Sequence, residues 1–375
     1  MSDLNQVIVV PVSLEKHPDA DTLSIVRIEG YNVVVRTEDW INEDRGAYIP
    51  PDNVVDVTRP EFKFLDEGIV GRTTARIKAK RLRGVMSQGL LIPVPKKVIY
   101  EGRYSDAIEE GTAIWGYEFN IGDDVTEYFG VTRYVSPVDL QLEGNAGEAI
   151  SKHEGPSNPG IKYDIDSWFK YRRLLPEGTE VVLTEKIHGT NARYTYQDGK
   201  MWCGSRSFYR RQSAGSVYWR ALEENPWIEE FCRSYPDVVL YGEIFGWVQT
   251  LRYGSKPGQL FFRAFDVFDS LSNNTQFWGW DKFYNSMSLK KSEFDVDGGI
   301  YISKDIDSTQ RIVPFIYRGF ISDELIEKHM DGPSVFFPGH IREGIVIKPV
   351  DEMYDLRLGR VILKAVSPVY LSKQK

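Results

Sequence analysis

The sequence predicts an α+β protein in which a small all-β domain precedes a larger domain of mixed strands and helices. Short candidate strands recur at close spacing over residues 1–135, which is typical of a small β-barrel or sandwich. Residues 136–160 are rich in glycine, proline and polar side chains and are predicted to be a linker. From residue 161 to 375 the pattern mixes apolar strands with helices. A length of 375 residues suits two or three domains of ordinary size.

The composition is that of a soluble globular protein, with 42% hydrophobic and 27% charged residues. We expect no transmembrane helix, because no run of about 18 apolar residues occurs, and no signal peptide. The two cysteines, Cys203 and Cys232, lack metal-ligand spacing and are predicted to be reduced thiols. A cytoplasmic, monomeric protein without a membrane partner is therefore expected. The net charge of −8 argues against an indiscriminate nucleic-acid coat protein but leaves room for a local basic surface.

The first domain contains an unusually basic run. Its candidate strands cover residues 7–10, 23–28, 32–35 and 46–51. In residues 75–80, apolar residues alternate with Arg76, Lys78 and Lys80, which a strand would place on one face. Between residues 71 and 98 there are eight Lys or Arg and no acid. This face is either a solvated strand surface or a phosphate-binding surface.

The second domain places charged residues at strand ends. Its candidate helices cover residues 214–235, with a break at Pro226, and residues 323–329. Its candidate strands cover residues 181–183, 238–241, 259–268, 344–348 and 360–364. In antiparallel sheets, side chains at the ends of several strands can converge on one cleft. The second domain is therefore where we expect an active site.

One lysine follows a strand directly and precedes a turn. Lys186 comes after the apolar run Val181-Val182-Leu183, and Gly189 lets the backbone turn. A lysine with an ordinary pKa of about 10.4 is protonated at neutral pH, but burial or nearby positive charge can make it a neutral nucleophile. A solvated lysine at a strand end is the alternative interpretation.

Six short motifs follow one another along the second domain. They are Lys186-Ile187-His188-Gly189-Thr190-Asn191, Ser205-Arg206-Ser207, Gly242-Glu243, Phe265-Asp266, Glu343-Gly344-x-Val346-x-Lys348 and the late-strand Lys364. In this order they resemble the covalent nucleotidyltransferases, a superfamily of RNA ligases, DNA ligases and mRNA capping enzymes. The first motif is similar to that of RNA ligase 2, since DNA ligases and capping enzymes usually carry aspartate in place of His188.

The N-terminal domain carries a second resemblance. The segment from His17 to Leu23 resembles the opening of tRNA-binding OB-fold domains, and the run through Leu90 resembles the OB domain of one branch of RNA ligases. The whole chain is thus similar to the RNA ligase 5 family. This implies an N-terminal OB-fold β-barrel that binds RNA, followed by a nucleotidyltransferase (ATP-grasp-like ligase) domain built on antiparallel sheets.

The resemblance implies an ATP-dependent RNA ligase that uses Mg²⁺ or Mn²⁺. Its lysine would take AMP from ATP, pass it to an RNA 5′-phosphate, and allow a 3′-hydroxyl to attack and join the strands. The RNA partner would be a nicked duplex or single-stranded ends. A DNA ligase or capping guanylyltransferase is an alternative, although their OB domain typically follows the catalytic domain. A non-catalytic RNA-binding protein is a further alternative.

The resemblance also assigns roles to individual cations. Lys186 would attack the α-phosphate, and Lys364 would contact that phosphate. Some relatives carry a second lysine where this chain has Val366, so the division of labour between Lys364 and Lys348 stays open. A cation beside Lys186 would lower its pKa and would stabilise charge on the phosphate. His188 is assigned to the later steps.

Acids and aromatic residues complete the site that the resemblance implies. Glu243 is expected near the ribose and Glu343 near the metal and nucleophile, and both carboxylates suit a hard divalent cation. Phe265 would stack on adenine, unless it packs in the core. Arg206 would bind phosphate or ribose. For each acid, a solvated strand-end position is the alternative.

Two further groups of residues are candidates. Glu185 and Asn191 lie close to the nucleophile and are assigned to the ATP site. A basic and aromatic patch follows Arg206 and comprises Tyr209, Arg210, Arg211, Tyr218, Trp219 and Arg220. Such a mixture suits single-stranded RNA, and a solvated helix face explains it equally well.

Overall fold

The structure of the protein is a computed structural model. It describes residues 6–68, 71–95, 98–105, 110–134, 149–151, 154–269, 276–287, 311–356 and 358–373. The chain divides into two compact units, Met1–Tyr134 and Val135–Lys373. Residues 136–148 and 152–153 of the predicted linker lie outside the described residues. Among the residues described, no helix is long and apolar enough to cross a membrane.

The first unit is built from short antiparallel strands. In chain order these are β1 (Ile8–Pro11), β2 (Glu15–Lys16), β3 (Leu23–Ile28), β4 (Tyr31–Arg36), β5 (Arg45–Ile49), β6 (Asn53–Asp56), β7 (Thr74–Arg76), β8 (Lys80–Leu82), β9 (Val85–Ser87), β10 (Leu90–Pro93), β11 (Val98–Ser105), β12 (Glu110–Tyr117) and β13 (Thr132–Arg133). They form the sheets β1-β5-β10, β2-β3-β4 and β13-β6-β7 and the pairs β8-β9 and β11-β12. Alternating apolar residues fill a core that includes Val9, Ile49, Phe62 and Phe129. The strands predicted at the start of this domain are confirmed.

The basic run in the first unit is not one strand. The strand predicted over residues 75–80 is divided, since β7 ends at Arg76 and β8 begins at Lys80. The predicted alternation persists, because the three apolar residues of the run are buried. Arg76 donates two hydrogen bonds to Asp52, at 2.6 and 3.1 Å, and its guanidinium lies 3.8 Å from the ring centroid of Tyr134. Arg76 is therefore held by protein groups.

The second unit contains two larger sheets. Its strands are β14 (Asp166–Ser167), β15 (Glu180–Lys186), β16 (Thr190–Gln197), β17 (Lys200–Ser205), β18 (Tyr209–Arg210), β19 (Val239–Gly246), β20 (Leu260–Asp269), β21 (Gln276–Phe277), β22 (Phe315–Phe320), β23 (Gly344–Pro349), β24 (Tyr354–Asp355), β25 (Gly359–Arg360) and β26 (Leu363–Val366). One sheet has the order β18-β17-β16-β19-β20-β21 and the other β14-β26-β23-β15-β22, and β24-β25 is a hairpin. All pairs are antiparallel except β14 with β26.

Helices cover one face of each large sheet. They are α1 (Trp168–Tyr171), α2 (Val217–Glu224), α3 (Trp227–Ser234), α4 (Trp280–Met287), α5 (Asp323–Met330) and α6 (Pro368–Lys373). The largest core joins α2, α3 and α4 to the six-stranded sheet and contains Tyr194, Cys203 and Phe262. A second core joins α1 and α5 to the five-stranded sheet. Both cysteines are buried free thiols, as predicted.

Of two elements predicted in the second unit, the helical segment is confirmed and the last strand is wrong. The helical pattern over residues 214–235 is observed as α2 and α3, separated at Pro226 as predicted. The strand predicted over residues 360–364 is instead divided between β25 and β26. The chain stays with the β24–β25 hairpin through Val361, whose N–H donates to the carbonyl of Met353, and only then joins the five-stranded sheet.

The turn at residues 187–189 carries the chain from β15 in one large sheet to β16 in the other. A Cβ on Gly189 would lie 2.1 Å from the carbonyl oxygen of Ile244, and a Cβ on Gly344 would lie 2.2 Å from the carbonyl oxygen of Ala365. Only glycine permits such close backbone approach. These two glycines therefore bring neighbouring strands together around Lys186.

Candidate active site

Lys186 and Glu343 form an ion pair at the centre of the site. Lys186 ends β15 and is paired with Gly344, the first residue of β23, so Glu343 arrives directly beside it. The Lys186 Nζ lies 2.7 Å from Glu343 Oε1, and the two side chains are only 21% and 12% exposed. The alternation of β15 turns Lys186 away from the face on which α1 and α5 pack. The sequence thus places a lysine in a largely buried acidic setting.

The carboxylates determine the protonation of this lysine. Burial lowers the pKa of Lys186, but the charges of Glu343 and Glu243 outweigh burial and hold that pKa above its ordinary value. Burial alone would raise the pKa of Glu343, yet Lys186 and then His188 lower it to about 2. The expectation that neighbouring cations depress the pKa of Lys186 is therefore wrong for this arrangement, because an acid is its nearest charge.

Glu243 lies next to this pair and has a different electrostatic character. It is paired with Asn191 across β16 and β19, and its carboxylate accepts a hydrogen bond from the backbone N–H of Gly189. Burial raises the pKa of Glu243 to about 8, and the charge of Lys186 only partly offsets this effect. The Asn191 Oδ1 is buried and has no hydrogen-bond partner in the described part of the chain. This corner of the site therefore offers acceptor oxygens.

His188 is fixed by groups that surround both ring nitrogens. Its Nδ1 lies 3.1 Å from the hydroxyl of Tyr370 and 3.4 Å from Glu343 Oε2. Its Nε2 lies 3.1 Å from Thr250 Oγ1, and its backbone N–H donates to the hydroxyl of Tyr253 at 2.8 Å. Sequence reasoning missed Thr250, Tyr253 and Tyr370. Nothing in their local sequence pointed to a contact with a residue 62 to 182 positions away.

Lys364 brings a second cation toward Lys186. It lies on β26 opposite Val346, on the same sheet face as Lys186. Burial and then the like charge of Lys186 lower the pKa of Lys364 to about 8. The guanidinium of Arg206 also acts on Lys364, and Arg206 donates a hydrogen bond to Asp164 Oδ1 at 3.0 Å. The structure thus gathers positive charge beside the acidic centre.

Phe265 occupies an irregularity in β20. Asp266 is paired with Tyr241 and Ala264 with Gly242, so Phe265 is the extra residue of a β-bulge. Its side chain is half-buried, and its ring centroid lies 4.7 Å from that of Tyr163. A bulge redirects a side chain relative to a regular strand. An aromatic ring is therefore presented at a position that strand alternation would not provide.

Lys348 has other partners than the sequence suggests. It is 5% exposed, and its Nζ lies 2.9 Å from Asp266 Oδ1. Asp266 also accepts hydrogen bonds from Arg360 at 2.6 Å and from the hydroxyl of Tyr163 at 2.9 Å. Burial is the main cause that lowers the pKa of Lys348. In this structure Lys348 is part of a buried ion network around Asp266, and its expected contact with the nucleotide stays a prediction.

Glu185 is also held by protein groups, and its expected place in the ATP site stays a prediction. It precedes Lys186 on β15 and therefore points to the opposite side of the strand. Its Oε2 accepts hydrogen bonds from the backbone N–H groups of Val335 and Phe336, at 2.6 and 3.4 Å. Burial raises the pKa of Glu185. Its observed task is to fix the loop at residues 333–340 rather than to face the acidic centre.

Three of the six residues in the basic and aromatic patch expected after Arg206 are buried. Tyr209, Arg210 and Tyr218 are at most 4% exposed. Arg211 is paired with Glu154, and Arg220 donates to the carbonyl of Gly258. Tyr218 and Trp219 of α2 pack against the largest core, and Tyr209 lies edge to face with Trp202, which a one-dimensional charge pattern does not reveal. Burial removes Tyr209, Arg210 and Tyr218 from any RNA surface, and RNA binding by the other members stays a prediction.

Comparison with solved structures identifies the fold of the whole chain. An RNA ligase mutant from Naegleria gruberi with ATP and Mn is 22% identical with a TM-score of 0.71, over 98% of this chain and 99% of that one. The Naegleria gruberi RNA ligase with PPi is 22% identical with a TM-score of 0.70, over 100% and 99%. Another mutant of that ligase, with AMP and Mn, is 21% identical with a TM-score of 0.69, over 98% of each chain. No curated protein matches the chain.

Family models assign both halves of the sequence. An OB-fold domain model matches residues 6–94, within the first compact unit. The RNA ligase model matches residues 179–366. That range is half of the chain and contains every residue of the centre, from Lys186 through Glu243 and Glu343 to Lys364. The protein belongs to the RNA ligase family and carries an OB-fold domain ahead of its ligase domain.

Proposed function

We propose that this protein is an ATP-dependent RNA ligase that works through AMP bound covalently to Lys186. The observation that carries the proposal is the buried Lys186–Glu343 pair, flanked by Glu243, His188 and Lys364, within the region that the RNA ligase model matches. A nucleophilic lysine needs such a shielded, charge-controlled position, whereas a solvated strand-end lysine does not. Relatives of the same fold bind ATP, AMP and Mn.

The reaction would consist of three phosphoryl transfers. First, Lys186 Nζ forms a bond to the α-phosphorus of ATP, the bond to the bridging oxygen breaks, and pyrophosphate leaves. Second, an oxygen of an RNA 5′-phosphate attacks the same phosphorus and releases the lysine. Third, an RNA 3′-hydroxyl attacks the 5′-phosphorus, and AMP departs. Little covalent work is required of other side chains, so positioning and charge neutralisation account for most of the catalysis.

A divalent cation fits the acidic oxygens of the site. Glu343 Oε2 is buried with Nδ1 of His188 3.4 Å away, and the Glu243 carboxylate lies near the same lysine. No group of three or more His, Cys, Asp or Glu forms a ligand set among the described residues. Mg²⁺ or Mn²⁺ suits one or two carboxylates completed by phosphate oxygens and water. When bound, the ion would supply positive charge that weakens the hold of Glu343 on the Lys186 ammonium.

The remaining residues would bind and orient the substrates. Lys364 and Arg206 carry the positive charge that suits the α-phosphate. Phe265 presents a ring for adenine from its bulge, and Asn191 offers an unpartnered amide oxygen for the nucleoside. His188 is held rigidly beside the nucleophile, which suits orientation of the RNA end in the later steps. The RNA would be a nicked duplex or single-stranded ends, and the ligase would act as a monomer.

Covalent labelling tests the proposal directly. The protein is incubated with α-labelled ATP and Mg²⁺ or Mn²⁺, denatured, and examined for labelled protein. We expect label on the native protein and none on Lys186→Ala. The matched control is Lys200→Ala, because Lys200 is an exposed lysine on β17 of the same unit, and this variant should label normally. Absence of label with either metal would overturn the proposal in favour of a non-catalytic RNA-binding protein, and label from GTP alone would favour a capping enzyme.

A further inference from the structure

A surface beside the active site combines exposed aromatic rings with positive charge. It is formed by two loops, residues 247–259 after β19 and residues 333–340 before Glu343. We call it the aromatic platform, and its members are Trp247, Arg252, Lys256, Val335 and Phe337. None of the six motifs of the sequence includes these residues.

The exposure of the platform is costly for the fold alone. Trp247 is 44% exposed, Phe337 is 36% exposed and Val335 is 50% exposed. Burial of a large apolar side chain stabilises a protein, and these residues partly forgo that stabilisation. The guanidinium of Arg252 lies 4.2 Å from the ring centroid of Trp247. An exposed indole stacked with an arginine is an arrangement that suits a planar ligand.

The two loops are fixed against each other. The ring of buried Tyr253 packs edge to face against two other rings. Its centroid lies 6.0 Å from that of Phe336 and 5.3 Å from that of Phe245. A Cβ on Gly254 would lie 2.6 Å from the ring of Phe337, so the loop backbone packs directly on that ring. The platform is thus preorganised, which reduces the ordering cost of binding.

The same loops contact the active site. Thr250, between Trp247 and Arg252 in the chain, meets Nε2 of His188 at 3.1 Å. The hydroxyl oxygen of Tyr253 accepts a hydrogen bond from the backbone N–H of His188. A molecule on the platform would therefore lie beside the residues that surround Lys186.

The charge of the platform selects the class of ligand. Arg252 and Lys256 are positive, and residues 247–259 and 333–340 contain no acid, although the whole chain carries a net charge of −8. Aromatic faces bind successive bases without sequence preference, and cations bind the phosphates between them. Both features fit one class of ligand, a single-stranded nucleic acid.

We propose that the aromatic platform binds a single-stranded stretch of RNA next to the end that is to be joined. A base would stack on Trp247, and the adjoining phosphates would lie at Arg252 and Lys256. This inference rests on the proposed function, since it is the ligase reaction that requires an RNA end at this cleft. It adds a binding site on the ligase domain that is separate from the OB-fold domain.

The test is RNA affinity of the full chain, measured by fluorescence anisotropy with a short labelled single-stranded RNA. Trp247→Ala should bind roughly tenfold more weakly, because loss of a stacking aromatic costs about that much for one base. Trp247→Phe should bind nearly as well as the native protein. Arg252→Ala should lower the slope of log Kd against log salt concentration by about 0.7, the value for one lost single-strand phosphate contact.

The matched control is Phe320→Ala, which removes another exposed aromatic ring, on β22 of the same unit. It should leave the RNA affinity unchanged. RNA affinity of Trp247→Ala equal to that of Phe320→Ala would overturn the platform. The labelling of Lys186 with ATP separates the two proposals. Both are supported if the native protein and Trp247→Ala are labelled and only Trp247→Ala binds RNA more weakly. Weaker RNA binding by Trp247→Ala without label on any variant would support the platform and overturn the ligase.

Discussion

Lys186 Nζ lies 2.7 Å from a carboxylate oxygen of Glu343. On the proposed mechanism, the Lys186 ammonium must therefore lose its proton before it can attack phosphorus. The attacking species is the neutral amine, yet the pKa of Lys186 is held above that of an ordinary lysine. At neutral pH the neutral fraction is then well under about 0.1%. Positive charge brought to Glu343 would release the proton of the Lys186 ammonium, whereas Lys364, whose own pKa falls to about 8, would stabilise the phosphate. On the proposed mechanism the acid and the second cation therefore have separate tasks.

At the same scale, the hydroxyl of Tyr370 lies 3.1 Å from Nδ1 of His188, and we expect it to act on catalysis through this histidine. In Tyr370→Phe the ring that contacts His188 remains and the hydrogen bond to Nδ1 is lost. We expect ATP labelling of Lys186 within about twofold of the native level. Joining of pre-adenylylated RNA, followed in a single turnover, should slow by roughly fivefold to tenfold, the worth of one such hydrogen bond.

The control for this residue is Tyr354→Phe, which removes a hydroxyl from a side chain that is 62% exposed. It should change neither step. Equal loss of labelling and joining in Tyr370→Phe would instead indicate that the hydroxyl supports the whole centre rather than the orientation of His188.

At the scale of elements, a buried ion network supports the strand that carries Phe265. Asp266 follows the bulge and is bound by Lys348 from β23 and Arg360 from β25, while Glu352 forms a second pair with Arg360. Arg360 also lies 3.7 Å from the ring centroid of Phe277 on β21. The network therefore joins strands from both large sheets behind the aromatic residue. A regular strand would not need this support, but a bulge gives up ladder hydrogen bonds.

Lys348→Met should destabilise the protein by about 3 kcal/mol. Removing one partner of a buried ion pair leaves a buried charge and typically costs about 3–5 kcal/mol, and Arg360 keeps the loss at the lower end because it still pairs with Asp266. The measurement is unfolding in denaturant, monitored for the full chain. Lys282→Met is the matched control. Lys282 pairs at 3.6 Å with Asp269, which lies on the same strand as Asp266, but the Lys282 side chain is 56% exposed. The free energy of unfolding of Lys282→Met should fall by less than about 1 kcal/mol. A similar decrease in both variants would contradict the assigned network.

These elements indicate how far the sequence could predict the structure. Apolar alternation and the break at Pro226 depend on neighbouring residues, so the strands and the divided helix followed from local pattern. The partner of Lys348 did not, because Asp266 is 82 residues away and only the pairing of strands brings them together. The predicted lowering of the Lys186 pKa was wrong for the same reason, because the motifs indicate which charged residues are present but not which of them is nearest to Lys186. Patterning also could not tell that Tyr209 and Tyr218 are buried.

At the scale of the whole molecule, the residues of the proposed lysyl-AMP centre belong to one part of the chain, and the basic stretch of the OB-fold unit belongs to another. The residues named above as neighbours of Lys186 lie in the second unit, so we expect labelling of Lys186 by ATP not to depend on cations of the first unit. The OB-fold unit carries Lys78, Lys80 and Arg83 in an acid-free stretch of an otherwise acidic protein. Arg76 in the same stretch is already held by Asp52 and Tyr134, so these three cations are better placed to meet phosphates than Arg76 is.

Replacement of Lys78, Lys80 and Arg83 by alanine should therefore weaken RNA binding without affecting labelling of Lys186 by ATP. For single strands each lost phosphate contact reduces the magnitude of the slope of log affinity against log salt concentration by about 0.7, so the loss of three contacts would reduce it by about 2. The slope is measured by titrating labelled RNA over a range of salt concentrations. Arg27→Ala and Arg36→Ala together provide the control, since both arginines are exposed on the same unit and paired with acids. An unchanged slope in the triple variant would mean that this basic stretch is a solvated face, and that RNA affinity resides elsewhere in the chain.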